Sequence, residues 1–174
     1  MNSNMEQIDP RRLLAAIAQI LNHLRVRYVV TGGMAVFVWG RPRFTADIDI
    51  VVALSLDDVE KLVSVLRNLS TTGYVDYDMA RQALERTGEF NFVDGESGIK
   101  VDFWVAPQNR FSQDQFRRRV FRNIHGERVA FISPEDLVLS KLLWHKQTHT
   151  SRHLEDIESI LKITKKLDWR YLNT

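Results

Sequence analysis

The sequence predicts a mixed α/β fold of the α+β kind, in which a mixed β-sheet is flanked by helices and followed by a helical C-terminal layer. Runs rich in Ile, Val and Phe with strand-like alternation lie in the middle of the chain, and apolar residues at helical spacing recur near its ends. A length of 174 residues with 44% hydrophobic content is enough to bury a core. Strands in the middle and helices at the end favour separate layers around that core.

The first half of the chain is predicted to alternate helices with short strands. Asp9 followed by Pro10 is a typical helix start, and apolar residues then recur at helical spacing to about residue 24. A run of Ile and Val predicts the clearest strand at residues 47–53, and Ser55 is a cap for the next helix. The other expected elements are a strand at 28–30 and helices at 34–39, 55–69 and 76–86.

The second half is predicted to contain two hairpins followed by two long helices. Residues 94–98 have the composition of a hairpin turn, and Ser133 before Pro134 starts a helix. The expected strands lie at 90–93, 99–105, 121–124 and 128–132, and the expected helices at 113–119, 133–147 and 151–165. Residues 1–132 are expected to form the core and residues 133–174 to pack on it, in one compact unit.

The composition excludes several kinds of site and of location. There is no cysteine, which excludes disulfides, zinc sites with thiolate ligands and cysteine nucleophiles. No apolar run approaches the ~20 residues of a membrane span, and the polar first ten residues lack the core of a signal peptide. We therefore expect a cytoplasmic protein with no membrane partner. The net charge is only +2, so any contact with nucleic acid needs a local basic patch.

Three aspartates fall at positions that two strands would place on one face. Side chains alternate along a strand, so Asp47 and Asp49 share a face while the isoleucines between and after them point to the other. Asp102 lies between Val101 and Phe103 and therefore also projects away from its apolar neighbours. If the two strands are neighbours, the three carboxylates converge on one patch.

Such a patch suits metal-assisted phosphoryl chemistry. Clustered carboxylates repel one another and are costly to desolvate, and a divalent cation removes that cost. Magnesium prefers oxygen ligands, and two ions ~4 Å apart can hold the attacking and leaving oxygens of an in-line phosphoryl displacement. The alternative interpretation is a set of solvated aspartates on an exposed sheet face.

Gly32-Gly33 follows a predicted strand and precedes a predicted helix. Glycines let backbone N–H groups approach a phosphate closely, and a helix N-terminus favours an anion. The pair is not followed by a Gly-Lys-Ser/Thr sequence, which excludes a Walker loop, and a GxGxxG fingerprint is absent. Gly-Gly is also common in ordinary turns, so the pair alone predicts little.

Together these features resemble the DNA polymerase β-type nucleotidyltransferase superfamily, whose signature is a glycine turn, an acidic-x-acidic strand and a third acid on a later strand. Gly32-Gly33, Asp47-Ile48-Asp49 and Asp102 carry the resemblance. The sequence is particularly similar to small bacterial nucleotidyltransferases related to abortive-infection toxins. The longer similarity includes Gly32-Gly33-Met34-Ala35, Arg43-Phe44-Thr45-Ala46-Asp47, Ser133-Pro134-Glu135-Asp136-Leu137 with Lys141, Arg152-His153 and Asp156-Ile157, within roughly residues 26–160.

The resemblance implies a nucleotidyltransferase core that uses a nucleoside triphosphate (NTP) and two Mg²⁺ ions. It implies that Asp102 binds the catalytic metal and helps to deprotonate an acceptor hydroxyl. Arg43 lies just before the acidic strand, where a triphosphate contact and a structural role are equally open. The other implied roles are metal and triphosphate binding by Asp47 and Asp49, phosphate binding by Gly32 and Gly33, a triphosphate contact by Lys141, and support of that region or substrate contact by Asp156.

The acceptor is left open between RNA, in a toxin-like role, and a small molecule of the antibiotic type; a non-catalytic nucleotide-binding member is the third alternative. An RNA acceptor is favoured by the toxin-like resemblance and by a basic cluster, although such a cluster is more often a solvated helix face. An antitoxin or a second copy of the chain is a further expected partner. The cluster consists of Arg110, Arg117, Arg118, Arg119 and Arg122. Trp39, Trp104 and Trp144 lie in apolar runs and are expected in the core.

Overall fold

The computed structural model describes residues 9–43 and 45–173. Phe44, which belongs to the motif above, residues 1–8 and Thr174 lie outside the described residues. The helices are α1 (Pro10–His23), α2 (Gly32–Trp39), α3 (Leu56–Leu69), α4 (Tyr77–Arg86), α5 (Arg110–Arg118), α6 (Pro134–Thr148), α7 (Ser151–Ile163) and α8 (Trp169–Leu172). The strands are β1 (Arg27–Val30), β2 (Asp47–Ala53), β3 (Tyr74–Val75), β4 (Glu89–Val93), β5 (Lys100–Val105), β6 (Val120–Ile124) and β7 (Glu127–Phe131).

Within the described residues the strands form one mixed sheet in the order β3-β4-β5-β2-β1-β7-β6. The central strand β2 is antiparallel to β1 and parallel to β5. One face of β2 is fully buried through Ile48, Ile50 and Val52, while the alternate residues stay partly exposed. The predicted α+β class, with a mixed sheet and a helical C-terminal end, is confirmed.

The helix starts follow the capping chemistry that the sequence indicates. The side chain of Asp9 accepts a hydrogen bond from the Arg11 backbone N–H at 3.0 Å, before Pro10 in the first turn. Ser55 and Asp58 form a reciprocal capping box at the start of α3. Ser133 caps α6 by accepting from the Asp136 backbone N–H at 3.1 Å.

Three elements depart from the sequence prediction. Strand β3 has two residues and helix α8 has one turn, too short for a hydrophobic period to show. Helix α5 begins at Arg110 rather than at residue 113, because the Asn109 side chain accepts from the Ser112 backbone N–H at 2.9 Å and caps the helix earlier.

The C-terminal helices are joined to α2 through one buried side chain. The indole N–H of Trp39 donates to the Ile132 carbonyl at 2.9 Å, just before α6. The Thr164 hydroxyl, just after α7, donates to the Trp39 carbonyl at 2.7 Å. Helices α6 and α7 also pack against each other. Across the described ranges, every helix is too short or too polar to cross a membrane.

Candidate active site

The carboxylates predicted from strand alternation lie on adjacent strands of the sheet. In the parallel register of β2 and β5, Asp49 lies opposite Asp102 and Asp47 lies opposite Lys100. Neighbouring strands are about 4.8 Å apart, and residues in register share a face. Asp102 is 8% exposed and Asp49 is partly buried. The structure therefore brings the three aspartates to one face of the sheet centre.

The environment of Asp49 disfavours its negative charge. Burial raises the pKa of Asp49, and the charges of Asp102 and Asp47 raise this pKa further, against the effect of a hydrogen bond from the Trp104 indole. A carboxylate with a raised pKa gains stability from a nearby cation, which can be a proton or a metal ion. Cation binding at Asp49 should therefore weaken as pH falls into the range where this carboxyl takes up a proton.

Lys100 supplies a cation to this face that the sequence analysis missed. Its Nζ lies 2.9 Å from Asp102 Oδ2. This hydrogen bond raises the pKa of Lys100, and the charges of Asp102 and Asp47 act in the same direction. Lys100 and Trp104 stand two residues before and after Asp102, so the alternation that identified Asp102 also places both on its face.

The glycine turn between β1 and α2 lies directly against Asp49. A Cβ atom on Gly32 would be 1.9 Å from Asp49 Oδ2, and one on Gly33 would be 2.5 Å from the Thr45 hydroxyl oxygen. The backbone N–H of Thr31 donates to the Asp49 carbonyl at 2.9 Å. Gly32 also has a φ of +59°, which favours glycine. The two turn positions therefore have no room for a side chain, because the turn packs directly against Asp49 and Thr45.

Thr31 presents a buried hydroxyl at the start of α2. The residue is 1% exposed, and its Oγ1 has no hydrogen-bond partner among the described residues. Although Thr31 is the N-cap of α2, its side chain does not cap the helix. The first turn of a helix also leaves backbone N–H groups without intrahelical acceptors. An anionic ligand oxygen at this turn would satisfy both kinds of group.

A second charged cluster joins the three other predicted site residues. Asp156 on α7 accepts two hydrogen bonds from the Arg43 guanidinium, at 2.9 Å and 3.0 Å, and lies 2.8 Å from Lys141 Nζ on α6. Burial alone would raise the pKa of Asp156, but the bonds from Arg43 and Lys141 outweigh it and lower this pKa. The positive charge of Lys141 also reaches Asp49, where it opposes the rise in pKa. The cluster therefore adjoins the carboxylate patch.

The three carboxylates suit a Mg²⁺ ion that takes its other ligands from substrate and water, not an ion enclosed by protein ligands alone. In residues 9–43 and 45–173, no group of three or more His, Cys, Asp or Glu side chains is arranged so that it could hold a metal ion by itself. Mg²⁺ usually binds through one or two carboxylates together with substrate phosphates and water, so a complete protein cage is not expected. Asp47, Asp49 and Asp102 offer such carboxylates beside the turn that suits phosphates.

The arginines of the predicted basic cluster contact several different partners within the chain. Asp114 pairs with the exposed Arg117 at 2.6 Å and, at 3.9 Å, with the still more exposed Arg110. Arg118 is only 24% exposed and lies 3.2 Å from Glu135. Ring contacts are also present: Arg118 lies over the Tyr171 ring, Arg119 over the Phe121 ring and Arg122 over the Trp39 ring.

The tryptophans correct an expectation drawn from the sequence. Trp39 is buried as expected, but Trp144 is partly exposed and Trp104 is 37% exposed. The apolar run of β5 serves two faces: Val101 and Phe103 enter the core, whereas Trp104 stays beside Asp102. Counting apolar neighbours along a strand overlooks this division.

Comparison with known proteins identifies the family of the chain. Residues 11–174 match the model of a family described as nucleotidyltransferase of unknown function (DUF6036). A search of curated proteins found no match.

Similar solved structures include an antigenic nucleotidyltransferase-like protein from Paracoccidioides brasiliensis, with 21% identity and a TM-score of 0.58 over 87% of this chain and 75% of that one. The lincosamide antibiotic adenylyltransferase LnuA, solved with lincomycin, shares 18% identity at a TM-score of 0.60 over 90% of this chain and 98% of that one. ANT(2'')-Ia, solved with adenylyl-2''-tobramycin, shares 16% identity at a TM-score of 0.57 over 88% of each chain. At these identities the structures show a common fold.

The family match spans the glycine turn, the three aspartates and the second charged cluster, so the resemblance to the nucleotidyltransferase superfamily is confirmed. The chain belongs to this family of nucleotidyltransferases.

Proposed function

We propose that the chain transfers a nucleoside monophosphate from an NTP to an acceptor hydroxyl in a Mg²⁺-dependent reaction. The observation that carries the proposal is the register of Asp49 with Asp102 directly beneath the glycine turn at Gly32. This arrangement places carboxylate ligands beside a turn that can hold phosphates. Asp47, on the same face, completes the proposed ligand set for two Mg²⁺ ions.

In the proposed reaction the acceptor oxygen attacks the α-phosphorus, the bond from that phosphorus to the bridging oxygen breaks, and pyrophosphate leaves. The proton of the acceptor hydroxyl passes to Asp102 and then to water. The Thr31 hydroxyl and the backbone at Gly32 and Gly33 hold phosphate oxygens, while Lys141, fixed by Asp156 and Arg43, supplies positive charge near the triphosphate. Mg²⁺ ions held by Asp47, Asp49 and Asp102 would neutralise negative charge on the reacting phosphates.

A small hydroxylated molecule is the proposed acceptor. The solved structures of LnuA and ANT(2'')-Ia contain lincomycin and an adenylylated tobramycin, so the fold accommodates such acceptors elsewhere. The five arginines that favour RNA in the sequence all have carboxylate or ring contacts within the chain, although Arg110, Arg117 and Arg122 stay exposed. RNA, with a toxin-like role and an antitoxin partner, is an outcome that the experiment can reveal.

The direct test is release of pyrophosphate from each of the four NTPs with Mg²⁺ and with a chelator, in the presence of tobramycin, lincomycin or total RNA. We expect release that requires both Mg²⁺ and an acceptor, with the labelled nucleotide recovered on one of the small molecules. Asp102→Asn should abolish it. Label on RNA alone would redirect the acceptor assignment, and Mg²⁺-independent release would contradict the metal assignment.

We expect Lys141→Ala to raise the KM for NTP about tenfold or more. A hydrogen bond to a charged group contributes about 1.5–3 kcal/mol, and each 1.4 kcal/mol corresponds to about tenfold in affinity. The variant should also be less stable, because Asp156 keeps only Arg43 as a cationic partner among those described above. Steady-state kinetics and urea unfolding measure the two effects separately.

Lys61→Ala is the matched control, since Lys61 is an exposed residue of α3. Its KM for NTP and its free energy of unfolding should stay within error of the wild type. A Lys141→Ala variant that loses stability but keeps the wild-type KM would limit Lys141 to a structural role.

A further inference from the structure

The carboxylate face continues past the proposed catalytic residues onto the neighbouring strand β4. In the antiparallel register of β4 and β5, Asn91 lies opposite Asp102 and Glu89 lies opposite Trp104. Glu89 and Asn91 are exposed, whereas Phe90 and Phe92 between and after them are buried in the core. A polar strip therefore runs beside Asp102, on the side away from β2.

Trp104 lies on this strip, opposite Glu89, with its ring partly open to solvent. It is 37% exposed, although large aromatic side chains gain most when they are fully buried. The indole of Trp104 opposes the rise in the pKa of Asp49 by hydrogen bonding, which places the ring beside that carboxyl. A ring held in place with an open surface can stack a ligand at little entropic cost.

The charge of the strip indicates which ligand fits. In the proposed reaction the charges of Asp47, Asp49 and Asp102 would be balanced by bound metal ions, and Asp102 is also paired with Lys100 at 2.9 Å. The carboxylate of Glu89 lies one strand further out, where it is exposed opposite Trp104. An ammonium group beside an aromatic ring and a carboxylate gains from both, whereas a phosphate backbone would be repelled by this carboxylate.

We propose that Trp104 and Glu89 form the acceptor subsite: Trp104 stacks a ring of the acceptor, and Glu89 pairs with an ammonium group on it. Asn91 donates to or accepts from a hydroxyl of the same molecule. The acceptor class is therefore a small cyclic polyol that carries amino groups, with a reacting hydroxyl presented to Asp102. This inference rests on the proposed nucleotidyl transfer and specifies its second substrate.

The test measures binding without turnover, by titrating tobramycin into the protein in the absence of NTP. We expect tobramycin to bind the wild type, and we expect its Kd to rise about tenfold or more, or by about 1.4 kcal/mol, in Trp104→Leu and in Glu89→Gln. In Trp104→Phe, which keeps an aromatic ring, the Kd should stay within about threefold of the wild-type value. Trp169→Leu and Glu96→Gln are matched controls at exposed positions, and their Kd should equal that of the wild type. Thermal melting verifies that each variant is folded.

Maltotriose, a neutral polyol, tests the charge argument and should bind at least about tenfold more weakly than tobramycin. The proposal is overturned if the wild type does not bind tobramycin, if Trp104→Leu and Glu89→Gln leave the Kd unchanged, or if a single-stranded RNA oligonucleotide binds at this strip instead. Since no NTP is present, these outcomes are independent of pyrophosphate release. A protein that releases pyrophosphate but fails the binding test retains the proposed function and loses only this subsite.

Trp104→Phe also separates stacking from positioning. The phenyl ring keeps a stacking surface but lacks the N–H that holds Asp49, so kcat should fall while the Kd for tobramycin stays near that of the wild type. If kcat fell equally in Trp104→Phe and in the control Trp169→Leu, the proposal that Trp104 positions Asp49 would be contradicted.

Discussion

Asp49→Asn is expected to abolish nucleotidyl transfer while leaving the protein folded and at least as stable as the wild type. Loss of one ligand charge from a metal clamp removes several kcal/mol of transition-state stabilisation, or about a thousandfold or more in kcat. The fold benefits from the same change, because burial and the charges of Asp102 and Asp47 disfavour ionised Asp49. Kinetics with Mg²⁺ and urea unfolding without Mg²⁺, both at pH 7, measure the two effects.

The raised pKa of Asp49 also fixes how this difference depends on pH. A carboxyl whose folded-state pKa is raised contributes stability below its unfolded-state pKa, and that contribution is lost as pH rises through the folded-state pKa. The advantage of Asn over Asp at position 49 should therefore be largest at neutral pH and shrink as pH falls through the raised pKa. Asp78→Asn, at an exposed position in the first turn of α4, should change neither activity nor this profile. Near-normal activity in Asp49→Asn would contradict the metal assignment.

The second large effect is expected for Gly32→Ala, which should remove activity and destabilise the protein. The added Cβ would lie 1.9 Å from Asp49 Oδ2 and 2.6 Å from its Cγ, so the carboxylate or the turn must move. A displacement of about 1 Å in a catalytic group can cost about a hundredfold in rate, and the left-handed backbone adds roughly 1–2 kcal/mol of strain. Kinetics and thermal unfolding quantify the two losses.

Gly98→Ala separates backbone strain from the clash at the turn. Gly98 has a φ of +70°, close to that of Gly32, but a Cβ there meets nothing within 4 Å. Gly98→Ala should be destabilised only by the strain of a left-handed backbone at a non-glycine residue, and its kcat should not change. If Gly32→Ala behaved in the same way, close contact between the turn and Asp49 would have no part in the reaction.

The face of each aspartate could be predicted from the sequence because alternation along a strand is a local property. Adjacent pairing of β2 and β5 needed the resemblance to a known family, since strand order depends on contacts distant in sequence. The same alternation could have placed Lys100 and Trp104 on the face of Asp102. The ion pair of Lys100 and the exposure of Trp104 depend on the neighbouring strands and could not be predicted from it. The arginine cluster illustrates the converse, because residues close in sequence proved to contact different partners.

The partners of Arg43, Lys141 and Asp156 could not have been predicted from spacing. Each residue comes from a different element, and a lone charged side chain in a sequence is usually solvated. Lys141 and Asp156 are buried beside the partly exposed Arg43 because α6 and α7 pack beside the segment that precedes β2. The resemblance implied site roles for Lys141 and Asp156, and the structure shows that the two side chains form an ion pair.

The two hydrogen bonds of Trp39 limit how this protein can be divided or recombined. One joins the end of α2 to the backbone just before α6, and the other joins it to the residue just after α7. Because α2 begins at the glycine turn, the C-terminal helices support the far end of the helix that carries the turn. A chimera with a relative that exchanged residues 133–174 alone would keep the bond to Ile132 but lose the bond from Thr164, unless the relative also has a donor at that position. A graft that carries α2, α6 and α7 together would keep both bonds.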